Sequence, residues 1–508
     1  MKKRIAIMLA LLMVLVLAGC QKQEVTQENP PAQETQAEEV QDGPIIIGQT
    51  WIVGNTDPTD SSVPWSLTSH GVSETVFMLD ETGNLKSRFI DSFEKVDELT
   101  WKATTKNEAK FSNGDVVDAA ALADCMNKIQ ENNPLSNATA GKVEFKALDD
   151  KTLEVKTERP LQRFNSFLTE WSNIVFKDLG DGKFVYTGPY VVENLKPGIQ
   201  LTLMPNEQYP DADKRPDVKV MVFKDTSALK LAFESGEIDM AFTVTPEIAK
   251  MLRDAGKNVK TIEAGYQYFG IFNLNNELLK DHAVRQAIHL AVNREEYIAA
   301  LQGGHVATGF FANYYDFAGD SVIKTDVEAA KALLDEAGYV MKDKLREKDG
   351  KTMDIKLVTY PSRPDLSVIM QIMASQLKEL GFNVSTEVVD GIDKVAQAGD
   401  FDLILYAQHT APTGDPSFAL NQFFRSEGGK NHAKYVSKEM DALLDKLGSE
   451  QDEAKRIELS KEAQALILKD LPVLYLVDPQ WHVAVSDRLA DYKPYNGDYY
   501  IVNNQLKK

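Results

Sequence analysis

Along most of the chain, two kinds of segment alternate. In one, apolar residues recur every second residue, as in a strand; in the other they recur every three or four residues, as on one face of a helix. Residues 45–51 are β-branched at their start and predict an opening strand. Asp225 and Gly236 are expected to begin and end a helix over residues 228–235, and residues 238–242 then alternate as a strand does. Helix–strand units of this kind predict an α/β fold, with open mixed sheets covered by helices.

The same order of helix, glycine and strand recurs later in the chain. Residues 368–380 place apolar side chains on one helical face, Gly381 ends that helix, and residues 382–388 alternate as a strand. Residues 282–301 predict one long amphipathic helix. No repeat of 20–50 residues interrupts this pattern, so a solenoid or propeller is not expected.

The N-terminus has the pattern of an export signal. A basic start precedes a short apolar run, residues 5–18, which ends at Leu17-Ala18-Gly19-Cys20. The run is shorter than the roughly 20 residues of a membrane-spanning helix, so we predict a signal peptide over residues 1–19. The last four residues resemble a bacterial lipobox and predict lipidation of Cys20, although an ordinary secretory signal with a chance cysteine would look the same. Residues 20–43 lack aromatic residues and predict a disordered tether.

Composition narrows the possible functions. The 508 residues contain 56 Lys and Arg against 76 Asp and Glu, a net charge of −20 that argues against binding nucleic acid. The two cysteines exclude a disulfide framework and a four-cysteine zinc site. Cys125 lies at helical spacing among apolar residues, which favours a buried core position.

Named catalytic motifs are missing from the sequence, including the nucleophile elbow, the His-Glu-x-x-His zinc motif and the phosphate-binding loop. Their absence does not exclude hydrolysis by two carboxylates. His70 and Glu74 would share one face of a helix, a weak indication of a metal pair. His282 and His289 are interpreted as structural.

A strand over residues 401–406 runs into a loop rich in proline and glycine. His409 and Asp415 would lie beyond the carboxyl end of this strand, where open α/β sheets tend to bind ligands. The alternative is that Asp415 merely begins a turn before Pro416.

An ordered set of short motifs resembles bacterial solute-binding lipoproteins of ABC importers, family 5, the type that binds oligopeptides, dipeptides or nickel. In chain order, the matching pieces are Phe111-Ser112-Asn113-Gly114-Asp115, Thr187-Gly188-Pro189-Tyr190, Ser235-Gly236-Glu237-Ile238-Asp239, Phe272-Asn273-Leu274-Asn275, Val284-Arg285-Gln286-Ala287-Ile288 and Phe401-Asp402-Leu403 through Asp415-Pro416. They cover nearly the whole chain from about residue 45 to residue 500.

The resemblance implies a two-lobed clamp of the periplasmic-binding-protein type, class II, with an extra small domain. The first domain would comprise residues 44–66, 187–263 and 482–508, the second residues 67–186, and the third residues 264–481. The cargo would be enclosed by hinge closure. Such proteins are not enzymes, need no cofactor, and deliver cargo to a permease and its ATPase at the outer face of the membrane. We expect a monomer.

The resemblance implies two kinds of cargo. In the peptide-binding branches an aspartate before proline pairs with the ligand ammonium group, and Asp415 occupies that place. The segments Ser69-His70-Gly71 to Phe77 and Tyr360-Pro361-Ser362-Arg363 look more like the branch that binds nickel or metallophore chelates. There Arg363 would hold chelator carboxylates, and His70 and His409 would be supplementary metal ligands.

We take short peptides, the commonest cargo of the family, as the main expectation. A metal chelate is the alternative, because few histidines are available for a cage around a bare ion. Trp51 and Tyr406 follow strands and are expected to line the cleft. A secreted two-lobed hydrolase and a signalling receptor are the remaining alternatives.

Overall fold

The computed structural model describes residues 43–60, 62–79, 85–132 and 139–507. The predicted signal peptide, Cys20 and nearly all of the predicted tether therefore lie outside the described residues.

The strands of the described chain are short and form several separate sheets. Numbered along the chain, they are β1 (Ile45–Gln49), β2 (Met78–Leu79), β3 (Leu85–Lys86), β4 (Ile90–Lys95), β5 (Thr100–Thr105), β6 (Val143–Ala147), β7 (Thr152–Thr157), β8 (Phe176–Gly180), β9 (Lys183–Tyr186), β10 (Tyr190–Lys196), β11 (Gln200–Pro205), β12 (Val218–Val222), β13 (Met240–Val244), β14 (Asn258–Glu263), β15 (Tyr266–Phe272), β16 (His305–Val306), β17 (Val340–Lys342), β18 (Leu345–Lys348), β19 (Lys351–Thr352), β20 (Asp354–Thr359), β21 (Asn383–Val388), β22 (Leu403–His409), β23 (Val473–Asp478) and β24 (Gln480–Val485).

Helices connect and cover these strands. They are α1 (Val63–Ser69), α2 (Ala119–Asn132), α3 (Phe164–Phe167), α4 (Thr226–Glu234), α5 (Pro246–Asp254), α6 (Glu277–Lys280), α7 (His282–Ala291), α8 (Arg294–Leu301), α9 (Val327–Glu336), α10 (Pro364–Glu379), α11 (Ile392–Ala398), α12 (Ser417–Phe424), α13 (Lys438–Ser449) and α14 (Glu453–Asp470), with short 3-10 turns at Ala212–Lys214 and Asp487–Leu489.

A seven-stranded mixed sheet contains the predicted opening strand near its centre. Its order is β10-β11-β12-β1-β13-β24-β14, and β1 runs parallel to both of its neighbours. Ile45 and Ile47 of β1 are fully buried, as the β-branched pattern predicts. The strands come from three separated stretches of the chain, and β24 begins at Gln480, two residues before the predicted return to the first domain.

A six-stranded mixed sheet, of order β16-β23-β15-β22-β20-β21, is the second large layer. Strands β15, β22 and β23 are buried along their whole lengths. β22 pairs antiparallel with β15, so that Tyr266 lies opposite His409, and it pairs parallel with β20. A four-stranded antiparallel sheet, β4-β5-β7-β6, packs against α2, where Cys125 is fully buried as expected. The prediction of an α/β fold with mixed sheets is confirmed.

The helix predicted over residues 282–301 is wrong as a single element. The structure has α7 and α8, separated at Val292 and Asn293, whose backbones are extended. Asn293 accepts a hydrogen bond from the backbone N–H of Glu295, and its side-chain amide donates to Glu296 at 2.9 Å. By capping in this way, Asn293 starts α8 at the next residue, Arg294.

Within the described ranges, no helix combines the length and the apolar character needed to cross a membrane.

Candidate functional site

A cavity of about 950 Å³ lies where stretches of the chain from all three predicted domains meet. Its wall is formed by the turn after α1, by β2 and β3, by the end of β22 and by the C-terminal residues 493–505. Tyr315, Tyr495 and Tyr500 contribute aromatic surface. The volume lies at the upper end of the roughly 300–1,000 Å³ of small-molecule sites, which makes this cavity the main candidate site.

A partly buried acid–base pair forms one wall of this cavity. Arg88 Nη1 donates to Glu74 Oε2 at 2.6 Å, and the Tyr209 hydroxyl donates to Glu74 Oε1 at 3.1 Å. Arg88 also donates to the carbonyl of Thr187 at 3.2 Å, and its guanidinium lies 3.9 Å from the Tyr209 ring centroid. Burial raises the pKa of Glu74, while Arg88 opposes the shift. One side of the cavity therefore offers both a carboxylate and a guanidinium.

The turn that places Glu74 depends on glycine. Helix α1 ends at Ser69, and Gly71 follows with a φ of +67°. A Cβ at Gly71 would lie 2.5 Å from the carbonyl oxygen of Val502, so the turn packs directly on the C-terminal segment. The predicted helical pairing of His70 with Glu74 is wrong, because the helix ends before it reaches them.

His409 borders the cavity at the end of β22. Its ring stacks on Tyr499 at 5.2 Å and meets the edge of Tyr266 at 5.4 Å. Asn496 interacts with the ring, but both ring nitrogens are buried and neither makes a well-formed hydrogen bond with a described residue. Burial lowers the pKa of His409 to about 4, so the imidazole is neutral at pH 7. A neutral imidazole is the form that binds a metal ion.

Arg363 lies just before α10 and already holds a carboxylate of the chain itself. Its Nη2 donates to Asp498, which is fully buried and also accepts from Trp65 Nε1 at 3.1 Å and the Tyr266 hydroxyl at 2.5 Å. The guanidinium lies 5.0 Å from the Trp481 ring centroid. Contrary to the expectation of an open cation for chelator carboxylates, Asp498 takes that place in this structure. Arg363 does not border the large cavity.

Trp51 and His70 lie together, away from the cavity wall. Trp51 stacks on Trp65 with ring centroids 4.2 Å apart, and the His70 ring centroid lies 5.2 Å from that of Trp51. Gln49 Nε2 lies 3.0 Å from His70 Nε2, so the amide donates to a neutral ring. Burial lowers the pKa of His70 to about 4. The structure brings these two predicted residues together without placing either on the cavity.

Tyr406 lies in the six-stranded sheet, with its side chain among aromatic rings. Its hydroxyl donates to Asp393 Oδ1 at 3.1 Å, and its ring centroid is 5.9 Å from that of Phe269. The Nζ atom of Lys430 lies 5.8 Å from the Tyr406 ring centroid. Tyr406 is buried on the same strand as His409 but does not border the large cavity.

The sequence interpretation expects Asp415 to face a ligand, but in the structure its carboxylate is paired within the protein. Its Oδ2 forms a buried ion pair with Arg456, and its Oδ1 accepts from the backbone N–H of Ser417 at 2.8 Å, at the start of α12. Gly414 borders the large cavity, whereas Asp415 does not. The physical reason is that Arg456, 41 residues later in the chain, neutralises this carboxylate. Its pairing with a ligand ammonium group stays a prediction.

Sequence reasoning missed Arg88 and Tyr209, which build the charged wall. Glu74 was considered only as a helical neighbour of His70. The motif around Thr187 was noted, and its carbonyl does accept from Arg88, but their separation of 99 residues gave no local signal.

The described residues contain no group of three or more His, Cys, Asp or Glu side chains arranged to hold a metal ion. A bare-ion cage built from such a group is therefore absent from this part of the chain.

A family model described as bacterial extracellular solute-binding proteins, family 5, middle, matches residues 84–431. The chain belongs to this family, which confirms the resemblance drawn from the ordered motifs. The family consists of solute-binding proteins rather than enzymes.

Relatives within the family are named for different ligands. The nickel-binding protein NikA of Staphylococcus aureus is 23% identical over 458 residues, covering 88% of this chain and 90% of that protein. Its structure in complex with Ni(L-His)2 superposes with a TM-score of 0.81 over 90% of this chain and 98% of that one. The dipeptide-binding protein DppE of Bacillus subtilis is 26% identical, covering 74% of this chain and 76% of DppE.

The oligopeptide-binding protein AppA of Bacillus subtilis, solved with a nonapeptide, is 20% identical and superposes with a TM-score of 0.78. The superposition covers 90% of this chain and 97% of the AppA chain. At these identities the solved structures establish the fold that this chain shares with them.

Proposed function

We propose that this protein is the solute-binding component of an ABC importer and that it captures short peptides for delivery to a membrane permease and its ATPase. Family membership and the dipeptide- and oligopeptide-binding relatives support this role. The observation that carries it is the 950 Å³ cavity, whose wall combines aromatic rings with the Glu74–Arg88 pair. A zwitterionic peptide offers an ammonium group to the partly exposed Glu74 carboxylate and a carboxylate to the basic side of this wall.

The proposed mechanism is closure of two lobes around the cargo. Residues 44–66, 187–263 and 482–508 would form the first domain, residues 67–186 the second and residues 264–481 the third. Contacts already link the second and third stretches, since Ser166 Oγ donates to the carbonyl of Thr413 and Arg159 pairs with Glu427. A ligand that contacts both lobes only in the closed state would shift the protein toward that state.

We place the protein at the outer face of the bacterial cytoplasmic membrane or in the periplasm. The family is extracellular, and Leu17-Ala18-Gly19-Cys20 supports a lipid anchor followed by a tether. In this arrangement the soluble body is a monomer that stays close to the permease. No cofactor is needed for capture and release.

A metal chelate is the second candidate cargo, and His409 is the observation that favours it. The imidazole is neutral, borders the cavity and has no full hydrogen bond on either nitrogen within the described chain. It could therefore complete the coordination of a nickel ion that brings its other ligands with it. The nickel-binding relative supports the same alternative. His70 does not join His409, because it lies off the cavity wall.

Native mass spectrometry of protein purified from its own host tests the cargo directly. A bound mass that fragments into amino acids supports the peptide proposal, and a mass with the isotope pattern of nickel supports the chelate. Thermal-shift screening of peptide pools and nickel–histidine mixtures should then find ligands that stabilise the folded state, by roughly 2.7 kcal/mol at a hundredfold excess over Kd. If ligands from neither class raise the Tm, the proposed function is wrong.

Small-angle scattering tests the closure mechanism with the ligand so identified. The radius of gyration should fall when the ligand is added. Tight binding with an unchanged radius of gyration would contradict closure while leaving the cargo assignment intact.

A further inference from the structure

A second cavity, of about 380 Å³, adjoins the large one. Arg88, Tyr209 and Asn504 border both cavities, so these side chains form the partition between them. Four basic side chains face a single carboxylate around the second cavity. They are Arg88, Lys214, Arg215 and Lys507, against Asp211. In a chain of net charge −20, such a local excess of positive charge indicates a site for an anion.

Arg215 is the residue whose hydrogen bonding is incomplete. It is only 3% exposed, and its Nη2 donates to the carbonyl of Pro210. Its Nε and Nη1 atoms are buried and have no hydrogen-bond partner in the part of the chain that the structure describes. Its guanidinium lies 4.8 Å from the Tyr209 ring centroid. Buried donors that stay unpaired cost free energy, and an anionic oxygen is their strongest partner.

Two of the other three basic side chains have carboxylate partners. Lys214 Nζ lies 2.6 Å from Asp211 Oδ1, with both side chains more than 60% exposed, and Arg88 pairs with the partly buried Glu74. No described carboxylate lies within ion-pair distance of Arg215; the nearby acid Asp211 is already paired with Lys214. Lys507 is exposed, so Arg215 is the buried basic side chain of this cavity that lacks a carboxylate partner among the described residues.

We propose that the second cavity is an anion subsite that binds a free carboxylate of the cargo, with Arg215 as its main partner. The cargo would occupy the large cavity and extend past Arg88 and Tyr209 toward Arg215. The Arg215 Nε and Nη1 atoms are buried in this structure, so the guanidinium would turn toward the cavity as the carboxylate binds. The protein then prefers solutes with a carboxylate at one end, such as peptides with a free C-terminus or chelates with a pendant acid group. This inference rests on the proposed function, because it assigns a part of the same cargo.

Pools of tripeptides and tetrapeptides, synthesised both as free acids and as C-terminal amides, test the subsite. Calorimetric titration of the detergent-purified full chain should show free acids binding about tenfold or more tightly than amides, since only the acid brings a charged oxygen to the guanidinium N–H groups. Arg215→Gln should reduce acid binding to the level of the amides and leave amide binding unchanged. Arg215→Lys should keep part of the preference, because it keeps the charge.

Arg253→Gln is the matched control, because it removes one positive charge from an exposed arginine on α5 that borders neither cavity. It should retain the full preference for acids. The Tm of each variant, measured without ligand, establishes that the protein is folded before binding is compared. An unchanged acid-to-amide ratio in folded Arg215→Gln would overturn the proposal.

Inorganic phosphate, titrated alone, separates the two possible sources of the anion. If Arg215→Gln abolishes stabilisation by phosphate but leaves the acid-to-amide ratio unchanged, the occupant is a free anion and the assignment to cargo is wrong. If the parent protein binds neither peptides nor nickel–histidine, the proposed function fails. In that case, stabilisation by phosphate that depends on Arg215 still supports an anion site, and equal stabilisation of parent and variant overturns it.

Discussion

The buried ion pair between Asp415 and Arg456 leads to a prediction about stability. The two side chains are 7% and 3% exposed, and the carboxylate also holds the first turn of α12 through Ser417. Asp415→Asn keeps the shape of the side chain but removes its charge. The Arg456 guanidinium then stays buried without a counter-charge, so we expect this variant to be less stable than the parent.

The magnitude follows from what Arg456 retains. Breaking a buried ion pair by removing one partner costs about 3–5 kcal/mol. Arg456 Nη1 still donates to the carbonyl of Leu447 at 2.6 Å, and its Nη2 to Ser417 Oγ at 3.1 Å, which places the loss at the lower end. For a cooperative unit of about 470 residues with an unfolding entropy of about 2.1 cal/mol/K per residue, a loss of about 3 kcal/mol lowers the Tm by about 3 °C.

Urea unfolding and calorimetry of the ligand-free protein measure this loss. Asp445→Asn is the matched control, because Asp445 pairs with Arg425 at 2.8 Å but is 62% exposed, and a solvated pair contributes about 0–1 kcal/mol. Combining Asp415→Asn with Arg456→Met should recover part of the loss, since the uncompensated charge is then gone.

The opposite result would restore the sequence-based interpretation. If Asp415→Asn unfolds at the same temperature as the parent and peptide affinity falls about a hundredfold, the carboxylate serves the ligand ammonium group and not the fold. Equal effects of Asp415→Asn and Asp445→Asn on stability would also refute the reasoning.

Three further predictions concern other parts of the chain. Asp498→Asn should lower the free energy of unfolding by about 3–5 kcal/mol, because it leaves Arg363 buried and unpaired, whereas Asp491→Asn, exposed in the same segment, should change the urea midpoint little. Burial raises the pKa of Glu170 from 4.5 to about 7, so the folded state retains a proton that the unfolded state loses in this window, and stability falls as the pH rises through it. Glu170→Gln should remove that loss of roughly 3 kcal/mol, seen as urea midpoints that differ less between pH 5 and pH 8 than in the parent. Cys20→Ser should release the protein into the medium or leave it uncleaved, and unchanged membrane fractionation with an unchanged N-terminal mass would rule out the anchor.

Local patterns predicted the elements because their causes are local. Asp225 accepts from the backbone N–H of Ala228 at 2.9 Å and begins α4, and Gly236 adopts a φ of +76° after its end, as the sequence indicated. The break between α7 and α8 was also readable, because Asn293 followed by Glu296 has the spacing of a capping box. A continuous apolar face across residues 282–301 concealed it.

The site was less predictable because its partners are distant in sequence. Whether a carboxylate faces a ligand or an arginine of its own chain depends on tertiary contacts. Asp415 pairs with Arg456, and Asp498 pairs with Arg363, which is 135 residues away in the sequence. The ordered motifs identified the family because they record the fold as a whole. They did not indicate Arg88, because its place in the wall depends on contacts with Glu74 and Tyr209, and Tyr209 is far from it in the sequence.

The C-terminal segment changes which charges are available to the cargo. Asp498 satisfies Arg363, and Arg456 satisfies Asp415, so the two groups that sequence reasoning assigned to recognition neutralise charges within the protein. The same segment also borders both cavities through Asn504. Glu74 and Arg88 also pair with each other, but their side chains remain 12% and 25% exposed on the cavity wall, so charge recognition would be left to this pair and to Arg215. We therefore expect substitutions at Arg88 and Arg215 to change cargo preference, and substitutions at Asp415 and Asp498 to change mainly stability.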